Sequence, residues 1–297
     1  MRRHRRVIPG FGLSLGYTVT FLSLIVLAPL SALFVKSATL GPREYWRLVT
    51  SDWALSAIRF TLGASLLAAT LNLFMGMLVA WVLARYEFFG RRVVDAVIDL
   101  PFALPTAVAG IALTTLYAPN GWIGRVLAKV HFAYPWPQWR GFAQSLWPIE
   151  WHRYTQVSLT PLGVVVALTF VGLPFVVRTV QPVLEDMNRD VEEAAASLGA
   201  TRWQTFRLVI LPRIAPAVLA GFSLAFARGL GEYGSVVFIS GRVPQTETAP
   251  ELIVNLVETS ETLAPATAVA SLLLVISFVL LFVINVFQRR AARLAEA

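Results

Sequence analysis

Cysteine is absent from the 297 residues, histidine occurs three times and lysine only as Lys36 and Lys129. The missing thiols exclude a disulfide framework, a thiolate zinc site and a cysteine nucleophile. His4, His131 and His152 lie too far apart to suggest a metal site, and no Ser-His-Asp set converges. Neither lysine follows glycine as the phosphate loop G-x-x-x-x-G-K-[ST] requires, so the chain is not an ATP-hydrolysing enzyme by itself. No cofactor and no metal are expected on it. Charge is scarce as well, at 14% of residues against about 25% in a soluble domain. With 57% hydrophobic residues, something other than water must face much of the surface, and disorder, which needs low hydrophobicity, is excluded too.

What the chain has instead is long apolar runs, at roughly 11–35, 57–84, 93–117, 159–181, 213–240 and 264–287. A bilayer core takes about 20 apolar residues of helix, and runs of this length exclude a barrel. The expected fold is therefore all-α: a polytopic membrane protein with six transmembrane helices. The first run is too long for the apolar core of a cleaved signal peptide and is expected to remain as an anchor.

The net charge of +8 points to topology and not to nucleic acid. Segments 1–10, 85–92, 182–213 and 288–297 together hold 14 Lys/Arg, whereas the longer alternate segments 36–56, 118–158 and 241–263 hold eight. Positive residues are enriched in cytoplasmic loops, so both termini, the basic tail 1–10 and the tail 288–297, are expected inside. Trp122, Trp136, Trp139, Trp147 and Trp151 crowd the outer loop 118–158, with prolines at 119, 135, 137 and 148. Indole rings favour the headgroup level, so this loop is expected to lie along the outer surface or to form a small cap.

Between the fourth and fifth runs, on the inner side, lies Asn188-Arg189-Asp190-Val191-Glu192-Glu193-Ala194-Ala195-Ala196-Ser197-Leu198-Gly199-Ala200-Thr201-Arg202-Trp203-Gln204. Asp190 and Glu193 have the spacing of a capping box, Gly199 suits the left-handed residue that ends a helix, and Thr201 and Gln204 repeat the box for a second helix toward Pro212. Val191, Ala194, Ala195 and Leu198 form one apolar face, and Trp203, Phe206 and Ile210 another. Two readings fit: the hairpin 188–212 packs against its own spans, or it docks into a groove on a soluble partner.

Glu193-Ala194-Ala195, three residues, Gly199, nine residues, Val209, any residue, Leu211-Pro212 resembles the EAA loop of the membrane subunits of binding-protein-dependent ABC importers, with Val209 where isoleucine is usual. Asp99 to Gly110 (Asp-Leu-Pro-Phe-Ala-Leu-Pro-Thr-Ala-Val-Ala-Gly), Pro174 to Pro182 and Leu230-Gly231-Glu232-Tyr233-Gly234 resemble the T-type membrane subunit of sulfate/thiosulfate importers, in the MetI-like permease family. The likeness runs from about residue 8 to 287, and the outer loop near 131–155 is longer than that family's usual form. It implies a type I ABC importer permease fold with its core over 57–287. It also implies that Asp190, Glu193, Ala194, Ala195, Leu198, Gly199 and Trp203 couple to ATPase subunits. Two ATPase subunits inside, which use the ATP, a sister permease subunit and an external sulfate-binding protein are the implied partners in a bacterial inner membrane. Molybdate or tungstate is the alternative cargo, and a secondary anion transporter the alternative class; against the latter, no inverted repeat or chain of intramembrane carboxylates is visible.

Three arginines fall inside the runs: Arg59, Arg178 and Arg228. Charges there face protein or water and are functional candidates. Arg228 and Glu232, four apart on one helix face, either neutralise each other and lock helices or hold an oxyanion in a pathway. Gly229 to Gly234 spells G-x-G-x-x-G, but within an apolar span this is not a dinucleotide site. Rows of small residues (Gly221, Ala225 and Gly229; Ala227, Gly231 and Ser235) point instead to close helix approach. Pro101 and Pro105 predict a bent, inward-facing third span, with Asp95 and Asp99 paired to Arg91 or Arg92. Arg178, Arg228, Glu232, Pro101 and Pro105 are the candidate pathway residues.

Overall fold

A computed structural model describes residues 11–129, 157–188, 190–241 and 246–296, and every regular element among them is a helix. Helix α1 (Phe11–Ser37) buries none of its apolar window, and its second half lies against the last helix, with Ser37 buried and its hydroxyl 3.5 Å from that of Ser271. Its one irregularity is a π turn at Ser23–Leu27, in which the Ala28 N–H bonds the Ser23 carbonyl. Pro29 follows directly. Its ring would strike the carbonyl four residues back, and one wide turn relieves the clash. The short α2 (Pro42–Val49) leads to α3 (Asp52–Arg85), started by the Ser51 side chain, which accepts from the Ala54 N–H at 3.3 Å. At 34 residues, α3 is about 50 Å long, more than the roughly 30 Å of a bilayer core.

The third expected span is not one helix. It is divided into α4 (Arg91–Ile98), α5 (Leu100–Ala103) and α6 (Thr106–Tyr117). Pro101 occupies the first turn of α5, where its missing N–H is harmless, whereas Pro105 forces Leu104 into extended backbone (ψ 134°) and breaks the chain there. Helix α7 (Trp122–Lys129) begins the tryptophan-rich loop; Trp122 is exposed, and the remaining loop tryptophans lie outside the described residues.

Next come α8 (Pro161–Asp186), α9 (Asp190–Ser197), α10 (Arg202–Leu230), α11 (Val236–Ser240), α12 (Ala249–Thr259) and α13 (Ala264–Glu296). Among the described residues, five helices, α1, α3, α8, α10 and α13, are long and apolar enough to cross a membrane. The run expected over 213–240 begins earlier, at Arg202, because the hairpin's second helix continues into the span. It ends earlier too, at Leu230.

The core lies where α3, α8 and α10 meet, with Val176, Val177, Val180, Leu184, Ile214, Val218, Ala225 and Phe226 buried against Ala69, Ala80 and Leu83. Lipid tails are as apolar as these side chains, so close van der Waals fit must hold the helices together. Small residues permit it: a Cβ on Gly221 would come within 2.7 Å of Val176 Cα, and one on Gly76 within 2.8 Å of Val176 Cβ. The row Gly221, Ala225 and Gly229 faces α3 and α8 as expected. The second row does not continue, since α10 stops before Gly231, which is exposed with open space around it.

Candidate functional site

The hairpin after α8 is built by two turns. At its start the Asp190 N–H bonds the Asn188 side-chain oxygen at 3.1 Å, and Asn188 Nδ2 donates to Asp190 Oδ2 at 2.7 Å. Asn188, not Asp190, is therefore the capping residue, and the expected Asp190–Glu193 box does not form; Asp190 already lies within the helix. At its end Gly199 has φ +82°, the Ala200 N–H reaches the Ala195 carbonyl (3.0 Å) and the Gly199 N–H the Ala196 carbonyl (2.9 Å). That is a Schellman turn, which needs a left-handed residue at the position of Gly199. Beyond it the Thr201–Gln204 capping box is present in both directions.

The structure divides the two apolar faces between the two readings of the hairpin. Ile210 is buried and Phe206 half-buried against the bundle, while Leu198 is 89% exposed and Trp203 66%. No residue of α9 is buried, and Glu193 and Ala194 are exposed. The base of the hairpin is thus fixed to the molecule and its tip is presented outward. The anchor was not legible in the sequence: Arg85 Nη2 donates to Glu192 Oε1 at 2.5 Å, bridging residues 107 apart. The same guanidinium lies 5.8 Å from the Trp81 ring centre, Trp81 meets Phe206 edge-on at 6.0 Å, and Phe206 stacks on Trp203 at 5.7 Å.

A second cluster joins the broken span to α8. Arg178 Nε and Nη2 donate to Asp99 Oδ1 and Oδ2 at 2.8 and 2.6 Å, and Nη1 donates to Asp95 Oδ1 at 2.8 Å and Gln181 Oε1 at 3.1 Å. Asp95 and Asp99 are therefore not paired with Arg91 or Arg92; Arg91 instead meets Glu185 at 3.3 Å. The fork geometry explains the preference, since a planar guanidinium holds a carboxylate with two parallel bonds. Arg178→Lys keeps the charge but not the fork. It is expected to lower the thermal midpoint of the detergent-solubilised protein by a few degrees, about what a loss of 1–2 kcal/mol produces at this size; an unchanged midpoint would show the fork to be dispensable.

The third constellation lies at the break between α10 and α11. Arg228 Nη2 is 2.5 Å from Glu232 Oε2, and the Glu232 side chain is only 1% exposed. Its other oxygen accepts both the backbone N–H and the hydroxyl of Ser235 at 2.9 Å. Glu232 therefore neutralises Arg228 and at the same time closes the turn into α11. The start of α6 packs on that turn, since a Cβ on Gly234 would come within 2.1 Å of Thr106 Oγ1, and one on Gly110 within 2.6 Å of the Ser235 carbonyl. The structure thus brings the segment just after Pro105 against the Glu232 turn. Pro101 lies on α5, where its neighbour Phe102 meets Phe175 of α8 edge-on at 5.0 Å.

Three comparisons bear on what this arrangement is. Residues 72–293 match the family described as binding-protein-dependent transport system inner membrane component. The sulfate transport system permease protein CysT of Escherichia coli (strain K12) is 43% identical over 289 residues, 97% of this chain and 96% of that protein. That of Synechococcus elongatus is 45% identical over 278 residues, 93% and 91% of the two. Among solved structures, a bacterial alginate ABC transporter in complex with an alginate pentasaccharide-bound periplasmic protein contains a chain with the same fold, at a TM-score of 0.73, 18% identity and coverage of 94% and 93%. By its family match and by identity along nearly its whole length, the chain belongs to the inner membrane components of binding-protein-dependent transport systems.

Proposed function

We propose that this chain is a membrane-spanning subunit of an ATP-driven importer of sulfate or thiosulfate. The observation that carries the reading is the outward presentation of Leu198 and Trp203 on a hairpin whose base is held by the bundle. An exposed apolar tip beside a glycine turn is the form of an anchor that fills a groove on another protein, and with no phosphate loop in this chain that protein is the ATPase subunit. The permease relatives supply the cargo, sulfate. The enrichment of arginine in 1–10, 85–92, 182–213 and 288–297 supports a cytoplasmic hairpin and cytoplasmic termini, with the divided segment α4 to α6 counted as a sixth crossing.

In this reading two ATPase subunits sit inside a bacterial inner membrane, a sister permease subunit lies alongside, and a binding protein outside delivers the anion. ATP binding favours one of two arrangements of the bundle, which is all that a ligand does to a conformational equilibrium. The pathway residues are Pro101 and Pro105 on the divided span and Arg228 and Glu232 at the α10–α11 break, on which the segment after Pro105 packs, with Arg178 holding the divided span to α8. Affinity for the anion resides in the binding protein, so the membrane site need only be permissive.

Leu198→Asp tests the docking surface without disturbing the fold, because that side chain touches little of its own chain. A charge placed in a desolvated groove costs about 2 kcal/mol or more at a hot spot, so ATPase recovered with the affinity-purified permease is expected to fall at least about tenfold. Recovery equal to wild type would place the docking elsewhere. Radiolabelled sulfate uptake in a strain lacking this chain tests the cargo, and intact sulfate uptake with lost molybdate uptake would reassign it.

A further inference from the structure

We propose that Arg85 is the positioning residue through which the hairpin moves the span α3, so that the coupling stroke enters the bundle at that span; this rests on the coupling role given above. Among the described residues, Arg85–Glu192 is the ion pair that joins α9 to a membrane-spanning helix. Helix α9 has little else to hold it, packing chiefly on the start of α10 and burying no residue. Arg85 is the last residue of α3, where the free carbonyls at a helix end favour a cation, and its side chain is 10% exposed. One helical turn earlier on the same face, Trp81 receives both the guanidinium and the edge of Phe206.

Two contacts of different chemistry, one from each helix of the hairpin, thus converge on residues 81 and 85. From there α3 runs as an unbroken helix back into the buried contact with α8 and α10. The grip falls on the end of α3 that is itself packed in the core, beside buried Ala80 and Leu83, so a displacement of residues 81 and 85 passes directly into the contact with α8 and α10. Among the described residues no hydrogen bond or ion pair joins the Ala-rich hairpin helix to α8. A half-buried ion pair is screened less than a surface pair, so it keeps its grip at physiological salt.

The test uses the complete transporter, with ATPase subunits, sister permease and binding protein, reconstituted in proteoliposomes and measured for sulfate transported per ATP hydrolysed. Glu192→Gln preserves size on a helix that buries nothing, and Arg85→Gln removes the other partner. Each is expected to lower the ratio at least about fivefold, the lower end of typical coupling effects, while Arg85→Lys, which retains the charge, keeps it within about twofold. A Glu192→Gln ratio equal to wild type overturns the proposal. So does a parallel fall of uptake and hydrolysis with a lower thermal midpoint, which is the signature of a bond serving only the fold. Gly199→Val measured alongside separates the two ideas: uncoupling by it alone retains the coupling hairpin and removes Arg85 from the relay, whereas no uncoupling by either variant removes the hairpin as well.

Discussion

Gly199→Val is expected to leave an assembled complex that hydrolyses ATP and imports almost nothing. The position sits at φ +82° with open space around it, so a side chain would meet no neighbour, and the whole penalty is backbone. A left-handed conformation costs an L-residue roughly 1–2 kcal/mol, and a β-branched one more than that. The hairpin escapes the penalty by unwinding the Schellman turn, which frees the Ala195 and Ala196 carbonyls and lets Leu198 swing away from Trp203. Because nothing in the bundle core touches this turn, the cost falls on the hairpin's shape and not on global stability. Uptake per ATP is expected to drop by more than about tenfold, at the middle of the range for coupling free energies. Gly199→Asn, a residue that tolerates the left-handed region, should retain most of it. Coupled transport by the valine variant at the wild-type ratio would mean that the turn's geometry is irrelevant.

Gly110→Val is the other large effect, and it acts by the opposite route. Its backbone is ordinary for a helix, but an added Cβ lies 2.6 Å from the Ser235 carbonyl oxygen and 2.8 Å from Ser235 Cα. Backbone cannot rotate away as a side chain does. Helix α6 must therefore back off from the turn that Glu232 closes, at the overpacking cost of about 1–3 kcal/mol or more. Because the displaced surfaces are the divided span and the α10–α11 break, transport is expected to fall below about a tenth of wild type even where enough protein folds to be purified. Gly231→Ala is the matched control: the same region and the same amino acid removed, but no atom within 4 Å of the new Cβ and φ −100°. Uptake by that variant should stay close to wild type. Equal effects of the two substitutions would show that contact with Ser235 is not what matters.

The runs at 11–35, 57–84, 159–181 and 264–287 were legible because a bilayer imposes length and apolarity on contiguous sequence, whereas the third run is divided and the fifth lies about ten residues earlier than its apolarity suggested. Legible too were the proline-induced departure of the third run from a straight helix, which falls at Pro105 and not at Pro101, the glycine turn at 199 and the Thr201–Gln204 box, each a local consequence of a residue's own stereochemistry. What escaped was decided by neighbours distant in sequence. Asp95 and Asp99 stand four and eight residues from Arg91, and proximity along the chain suggested that partner. The fold instead offers Arg178, aimed across from α8 with a guanidinium that satisfies both carboxylates. The Arg85–Glu192 pair escaped for the same reason. The start of the hairpin was misjudged by two residues because Asn188 and Asp190 are equally good capping types, and only the path of the chain out of α8 chooses between them. Helix α12 carries a local start signal, the Thr248–Glu251 capping box, but at 11 residues it is too short to stand out as a membrane span.

A proline in this chain fixes the bearing of a tryptophan nine residues away. The second wide turn of the molecule, at Phe206–Ile210, stands directly before Pro212, as the first stands before Pro29. It carries one residue more than the regular winding holds, and each such residue rotates everything upstream by about 100° about the axis. Trp203 therefore points where a uniformly wound rod would not aim it, and like Leu198 it is exposed. The Leu-Pro at the far end of the motif and the aromatic near its tip are thus one geometric instruction written in two places.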